Sequence, residues 1–135
     1  MIGGMTQAPP PQVWPTFRAR DARALIKFLT GAFGFEETVV YGEGEEVNHA
    51  ELTWPPGGGV MLGSSRPDSP EQMTPGTFSA YVVCDDPDAL LARAVENGAV
   101  VVSELHDTDY GSRDFAVLDP EGNRWYFGTC RGHPR

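Results

Sequence analysis

Residues 54–64 and residues 119–129 can be laid over each other at one fixed shift. Pro55 falls on Pro120, Gly57 on Gly122 and Gly63 on Gly128, each 65 positions on. The same shift carries Asp21 onto Asp86, Ala24 onto Ala89 and Leu25 onto Leu90. Gly34 best matches Gly98, so the copies differ by one residue between these anchors. One unit written twice must bury its apolar faces in the same way in both copies, and paired units build a site between their faces.

Alternation and helical spacing divide each copy into the same elements. Residues 13–20 read as a strand, with Val13, Pro15, Phe17 and Ala19 on one side and Trp14, Thr16, Arg18 and Arg20 on the other. Asp21 is an N-cap, Leu25, Ile26, Leu29 and Phe33 carry a helix over 22–33, and Gly34 stops it. Strands are expected at 36–41, 47–54 and 59–64, with turns at 42–45 and 55–58. Residues 65–76 hold three prolines and no apolar period, which makes them a linker. The second copy repeats the plan: strand 77–84, N-cap Asp86 before Pro87, helix 88–96 ended by Asn97-Gly98, and strands 99–105, 113–119 and 123–130.

The expected fold is α+β, two tandem βαβββ modules forming a curved mixed sheet around a cleft. A flexible Pro-rich arm (1–12, around Ala8-Pro9-Pro10-Pro11) precedes a single domain (13–135). That domain comprises module one (13–64), the linker (65–76) and module two (77–130). Helix-side residues form the core, and the alternate residues line the cleft.

Charge and composition narrow the partners. A chain of 135 residues with 40% hydrophobic content supports one core without disulfides or metal. A net charge of −9 argues against nucleic acid and anionic membrane surfaces. No apolar run approaches the roughly 18 residues of a membrane span. The first residues lack the charged and apolar regions of a secretory signal. Two cysteines without a CxxC point to a reducing cytoplasm and to two free thiols, Cys84 and Cys130, on opposite faces.

Particular motifs add a resemblance. Arg20-Asp21-Ala22 with Phe28 and Ala32-Phe33-Gly34-Phe35, then Asp85-Asp86-Pro87-Asp88-Ala89, then Asp119-Pro120-Glu121-Gly122-Asn123 span nearly the whole chain. In this order the chain resembles the vicinal oxygen chelate superfamily (glyoxalase, bleomycin resistance protein and extradiol dioxygenase), in particular its bleomycin-resistance-like members. The scaffold hosts isomerases, dioxygenases, transferases and drug-binding proteins, so the resemblance implies fold more than activity.

Family enzymes hold a divalent metal with His, Gln or Glu from the first and last strand of each module. Those positions here are Trp14, Met61, Ser79 and Tyr126, and none is a usual ligand for such a metal. This departure from the family's ligand pattern leads to the expectation of no metal and no cofactor. His49 and Glu51 share a strand face, but two donors are too few for a site, and His106 and His133 sit in a loop and the tail.

The expected ligand-binding residues are Trp14, Arg18, His49, Glu51, Met61, Tyr81, Tyr110 and Tyr126, with Thr53 beside them. In some glyoxalase-type members an arginine at the position of Arg18 holds a substrate carboxylate; Arg18 and Glu51 neutralising each other is the competing expectation. His49 with Glu51 is the candidate general acid or base. The loop Asp107-Thr108-Asp109-Tyr110-Gly111-Ser112-Arg113-Asp114 either offers Tyr110 and Asp109 to a cationic drug or simply turns at Gly111 while Arg113 pairs with an acid.

The expectation is a cytoplasmic, metal-free protein that binds a small organic molecule, sequestering an aromatic or cationic drug or metabolite, as a homodimer implied by the resemblance. The alternative is a metal-dependent lyase, isomerase or dioxygenase of the same superfamily. A scaffold whose cleft is plugged by Trp14 and Tyr126 is a third reading.

Overall fold

The computed structural model describes residues 10–70 and 73–132. Residues 1–9, most of the expected arm, and the tail with His133 lie outside the described residues. Module one runs β1 (Thr16–Ala19), α1 (Ala22–Phe28), a π-helical turn (Leu29–Phe33), β2 (Glu36–Glu43), β3 (Glu46–Thr53) and β4 (Gly59–Ser64). Module two runs β5 (Ser79–Val83), α2 (Pro87–Glu96), β6 (Val100–Asp107), β7 (Arg113–Leu118) and β8 (Arg124–Gly128).

Each module is a separate four-stranded mixed sheet, ordered β1-β4-β3-β2 and β5-β8-β7-β6. The first and last strands of each module pair in parallel, β1 with β4 and β5 with β8, and the other neighbours are antiparallel. A parallel pair needs a long crossover, which the helix and intervening hairpin provide.

Both helices begin alike: Asp21 Oδ1 accepts from Ala24 N and Asp86 Oδ1 from Ala89 N, each at 3.1 Å. The helix expected over 22–33 is α-helical only to Phe28. Its last turn widens to π geometry before Gly34, at φ 93°, closes it in the left-handed region. The strand expected over 13–20 shortens to Thr16–Ala19, because Pro15 has no N–H to give an edge strand's ladder. The turn expected at 42–45 contracts as Gly42 and Glu43 join β2.

The predicted phase of β3 holds for Ala50 and Leu52, both fully buried, but fails upstream. Tyr41 pairs with His49 while Gly42 pairs with Val47, leaving Asn48 unopposed as a bulge. The bulge turns Val47 into the core (0% exposed) and brings Asn48 to the outer face beside His49.

The helix-side faces of both sheets share one core. Trp125 is fully buried at its centre, with ring centroids 5.5 Å from Phe33 and Phe78, 5.6 Å from Phe35 and 6.1 Å from Phe17. Its indole N–H donates to Asp119 Oδ2 at 2.9 Å. Asp119 also accepts from Glu121 N, Asn123 N and Asn123 Nδ2, and Asn123 Oδ1 accepts from Phe78 N. The turn motif is thus a satisfied buried polar network that fixes β8 beside β5.

Hydrogen bonds also lock the modules together. Glu121 accepts from the backbone N–H groups of Arg20 and Asp21 at 2.8 and 3.0 Å, capping the entrance to α1 from the opposite module. Arg93 on α2 donates to Gly31 O (2.8 Å) and Thr30 O (3.2 Å), satisfying carbonyls of the widened turn. Trp54 Nε1 donates to Val83 O at 2.9 Å, across to the edge of β5. Both thiols are free, Cys84 buried and Cys130 half-buried.

Candidate functional site

The outer face of the first sheet, away from the core, carries a hollow of about 460 Å³. β1 supplies Thr16 and Arg18, β4 supplies Met61 and Gly63, and β3 supplies Asn48 and His49. Arg66, Ser69 and Met73 of the linker close one side. The parallel register sets Thr16 opposite Met61 and Arg18 opposite Gly63, so alternation sends all four to this face.

Gly63 makes room for Arg18. A β-carbon at Gly63 would lie 2.6 Å from Arg18 Nη1, and 3.0 and 3.2 Å from the carbonyl oxygens of Asn48 and Val47. The guanidinium therefore rests on bare backbone. No carboxylate among the described residues forms an ion pair with it. The expected Arg18–Glu51 pair does not form, because Glu51 is engaged by His49 two residues before it, Nε2 to Oε2 at 2.9 Å. The His49 ring also stacks on Tyr41, with centroids 6.5 Å apart and planes at 17°.

The hollow carries two arginines and a histidine, and among its described lining residues there is no Asp or Glu. A chain of net charge −9 thus presents, at Arg18, a guanidinium without a carboxylate partner among the described residues. The hollow's apolar part comes from Met61 and Met73, together with Phe17 and Leu62.

Of the sequence-predicted set, Arg18, His49 and Met61 meet in this hollow, with Glu51 held behind His49. Trp14 is half-buried ahead of β1, and a β-carbon at Gly59 would lie 2.8 Å from its Cζ3. Thr53 is bound to the β2 end by contacts to Glu36 O and Thr38. Tyr81, Tyr110 and Tyr126 stand on module two's outer face and take no part in the hollow's walls. Trp14 and Tyr126 make no ring contact with each other among the described residues.

Tyr81 and Tyr110 of module two gather on Asp114 instead. Tyr81 O–H donates to Asp114 Oδ1 at 3.0 Å, Tyr110 O–H to Oδ2 at 3.2 Å, and Ser112 O–H to Oδ1. Burial pushes the Tyr81 phenol above its ordinary value, Asp114 adds to the rise, and Ser112 opposes it. Gly111 makes the turn at φ 87°, and Arg113 pairs with Asp88 (2.8 Å) and Asp107 (3.1 Å). Those two carboxylates hold the Arg113 guanidinium firmly protonated.

The family's metal positions do not fit a metal here. Thr16, not Trp14, lies beside Met61, and Tyr81, not Ser79, lies beside Tyr126. Neither Trp, Met, Ser and Tyr nor the register set Thr16, Met61, Tyr81 and Tyr126 is a good donor set for a hard or borderline divalent ion. Among the described residues no three His, Cys, Asp or Glu side chains converge.

Sequence reasoning missed Gly63, Asn48, Arg66, Ser69 and Met73 as walls of this site. Gly63 had a visible signal: a glycine inside a strand, repeated 65 positions on as Gly128, marks a close approach. Gly128 leaves the space that Asp114 and Tyr81 fill in module two.

The model described as the Glyoxalase/Bleomycin resistance protein/Dioxygenase superfamily matches residues 12–127. The uncharacterized protein Rv0887c of Mycobacterium tuberculosis is 32% identical over 126 residues, covering 87% of this chain and 74% of that protein. Among solved structures, TioX from Micromonospora sp. aligns at TM-score 0.73 and 25% identity, covering 88% of this chain and 98% of TioX. A superfamily member from Sphaerobacter thermophilus aligns at TM-score 0.69 and 18% identity, covering 89% of this chain and 98% of its own, a likeness of fold alone. No helix among the described residues is long and apolar enough to cross a membrane.

Proposed function

This chain belongs to the Glyoxalase/Bleomycin resistance protein/Dioxygenase superfamily, and within it we propose that it binds a small organic anion, a carboxylate, in the hollow over Gly63. One observation carries the reading: Arg18 is half-buried on this face and has no counter-charge among the described residues. A guanidinium so placed presents a fork that matches a carboxylate in two parallel hydrogen bonds. Thr16, Asn48 and Ser69 offer further polar contacts, and Met61 and Met73 an adaptable apolar wall. The Arg18 guanidinium favours an anion over the cationic ligand that the Asp109 loop and the resemblance suggest, because local sign decides what enters a pocket.

The test is calorimetric titration of a panel of small carboxylates, each paired with its neutral amide. The acids are expected to bind and the amides not, with affinity falling as salt rises. Arg18→Gln is expected to weaken binding about 10- to 100-fold, the worth of a charge-assisted pair. Amides or amines that bind as well as the acids would reject this reading.

A further inference from the structure

The hollow that Arg18 lines also holds an oriented imidazole, His49 of β3. His49 and Glu51 alternate onto one face of β3, and the Nε2–Oε2 bond of 2.9 Å fixes the ring's edge. Tyr41 stacks on the ring's face. With the carboxylate on Nε2, the favoured tautomer carries its proton there and leaves the Nδ1 lone pair free. The His49 side chain is 40% exposed and lines the hollow, so the imidazole meets both a bound anion and solvent. Glu51 is not among the hollow's walls, so it acts through His49 as a positioning residue.

We infer that the hollow is a proton-transfer site for 2-oxo carboxylates, in which His49 exchanges the proton on the carbon next to the keto group while Arg18 holds the carboxylate. The inference rests on the anion reading above. In the step, His49 Nδ1 takes the proton from C3, the C–H electron pair becomes the C2=C3 bond, and the C2=O π pair moves onto oxygen. The enolate so formed lies next to the carboxylate that the Arg18 guanidinium neutralises, which limits the build-up of charge. The imidazolium, its charge balanced by Glu51, trades its proton with water and returns one to C3 or to the enolate oxygen. Returned to C3, the proton regenerates the starting keto acid with its hydrogen exchanged; returned to oxygen, it gives the enol. No redox partner is needed, and atoms and charge balance in either direction. C3 protons of such acids are acidic enough for one positioned base, where a simple carboxylate's are not.

The test uses 2-oxobutyrate with the whole chain. Binding is measured by calorimetry, and exchange by the loss of the C3 methylene proton signal in deuterated buffer, corrected for the buffer's own rate. Wild type is expected to bind 2-oxobutyrate and to speed exchange on the order of 10²-fold or more. His49→Ala should bind within a few-fold of wild type and lose the exchange. Glu51→Gln should keep binding, slow exchange about tenfold, and shift the pH profile of the rate, a change that a merely structural role would not produce. Circular dichroism checks that each variant is folded, and His49→Gln serves if His49→Ala is not. Binding without exchange above buffer, or equal exchange in a folded His49 variant, overturns the inference and leaves the anion reading standing. No binding of 2-oxobutyrate or of any carboxylate in the panel removes both.

Discussion

The guanidinium of Arg18 lies on Gly63, 2.6 Å from where a β-carbon would stand. The two residues are direct partners across the parallel β1–β4 pair, so one side chain occupies the space of both. A methyl group at position 63 would meet Arg18 Nη1 and two backbone carbonyls together.

Gly63→Ala is therefore expected to displace Arg18 and weaken carboxylate binding by about tenfold or more, at a folding cost of about 1–3 kcal/mol from overpacking. Titration and urea unfolding of the same preparation separate the two effects. Unchanged affinity would mean that Arg18 does not need its seat.

The inter-module cap makes a second prediction. Glu121 satisfies two N–H groups at the start of α1, 100 and 101 residues away in the chain. Glu121→Ala should cost about 1–3 kcal/mol, and Glu121→Gln less, since an amide oxygen still accepts one bond. Denaturant unfolding measures both. The equivalent position in module one is Pro56, which has no side-chain acceptor, so Pro56→Ala should leave stability nearly unchanged.

Cys84 sets an alkaline limit. Burial first, then the charges of Asp85, Asp86 and Asp114, push its thiol from the ordinary 9.0 up to about 11. The folded state thus holds this proton more tightly than the unfolded chain does. Its contribution is complete below pH 9 and is lost as pH climbs toward 11, on the order of 1–2 kcal/mol in total once solvent screening is allowed for. Melting curves of wild type and Cys84→Ala should converge in slope below pH 9 and diverge above it. At neutral pH a thiol reagent should modify the half-buried Cys130 well before Cys84.

Elements governed by near neighbours in the chain are legible in the amino-acid sequence. Asp21 and Asp86 cap their helices through the third residue on, and strand 59–64 begins and ends where alternation puts it. The repeat at a shift of 65 residues predicts that both modules share one topology, and they do. Features set by distant contacts are not legible. Asn48 bulges because β2 and β3 must keep Ala50 and Val47 both in the core, and no local pattern announces that. Glu51 can be assigned to Arg18 or His49 by face alone, and only the three-dimensional arrangement gives it to His49. Alternation groups the tyrosines with Arg18 only if both outer faces line one cleft. In the structure the hollow is walled by module one and the linker, while Tyr81 and Tyr110 bind Asp114.

The most direct measurement of the anion site is a backbone amide NMR titration with a small carboxylate from the panel. The account predicts saturable shifts centred on Arg18, His49, Met61 and Gly63, abolished in Arg18→Gln. Shifts centred on Tyr81, Asp114 and Tyr126, or saturable shifts that persist in Arg18→Gln, would contradict it.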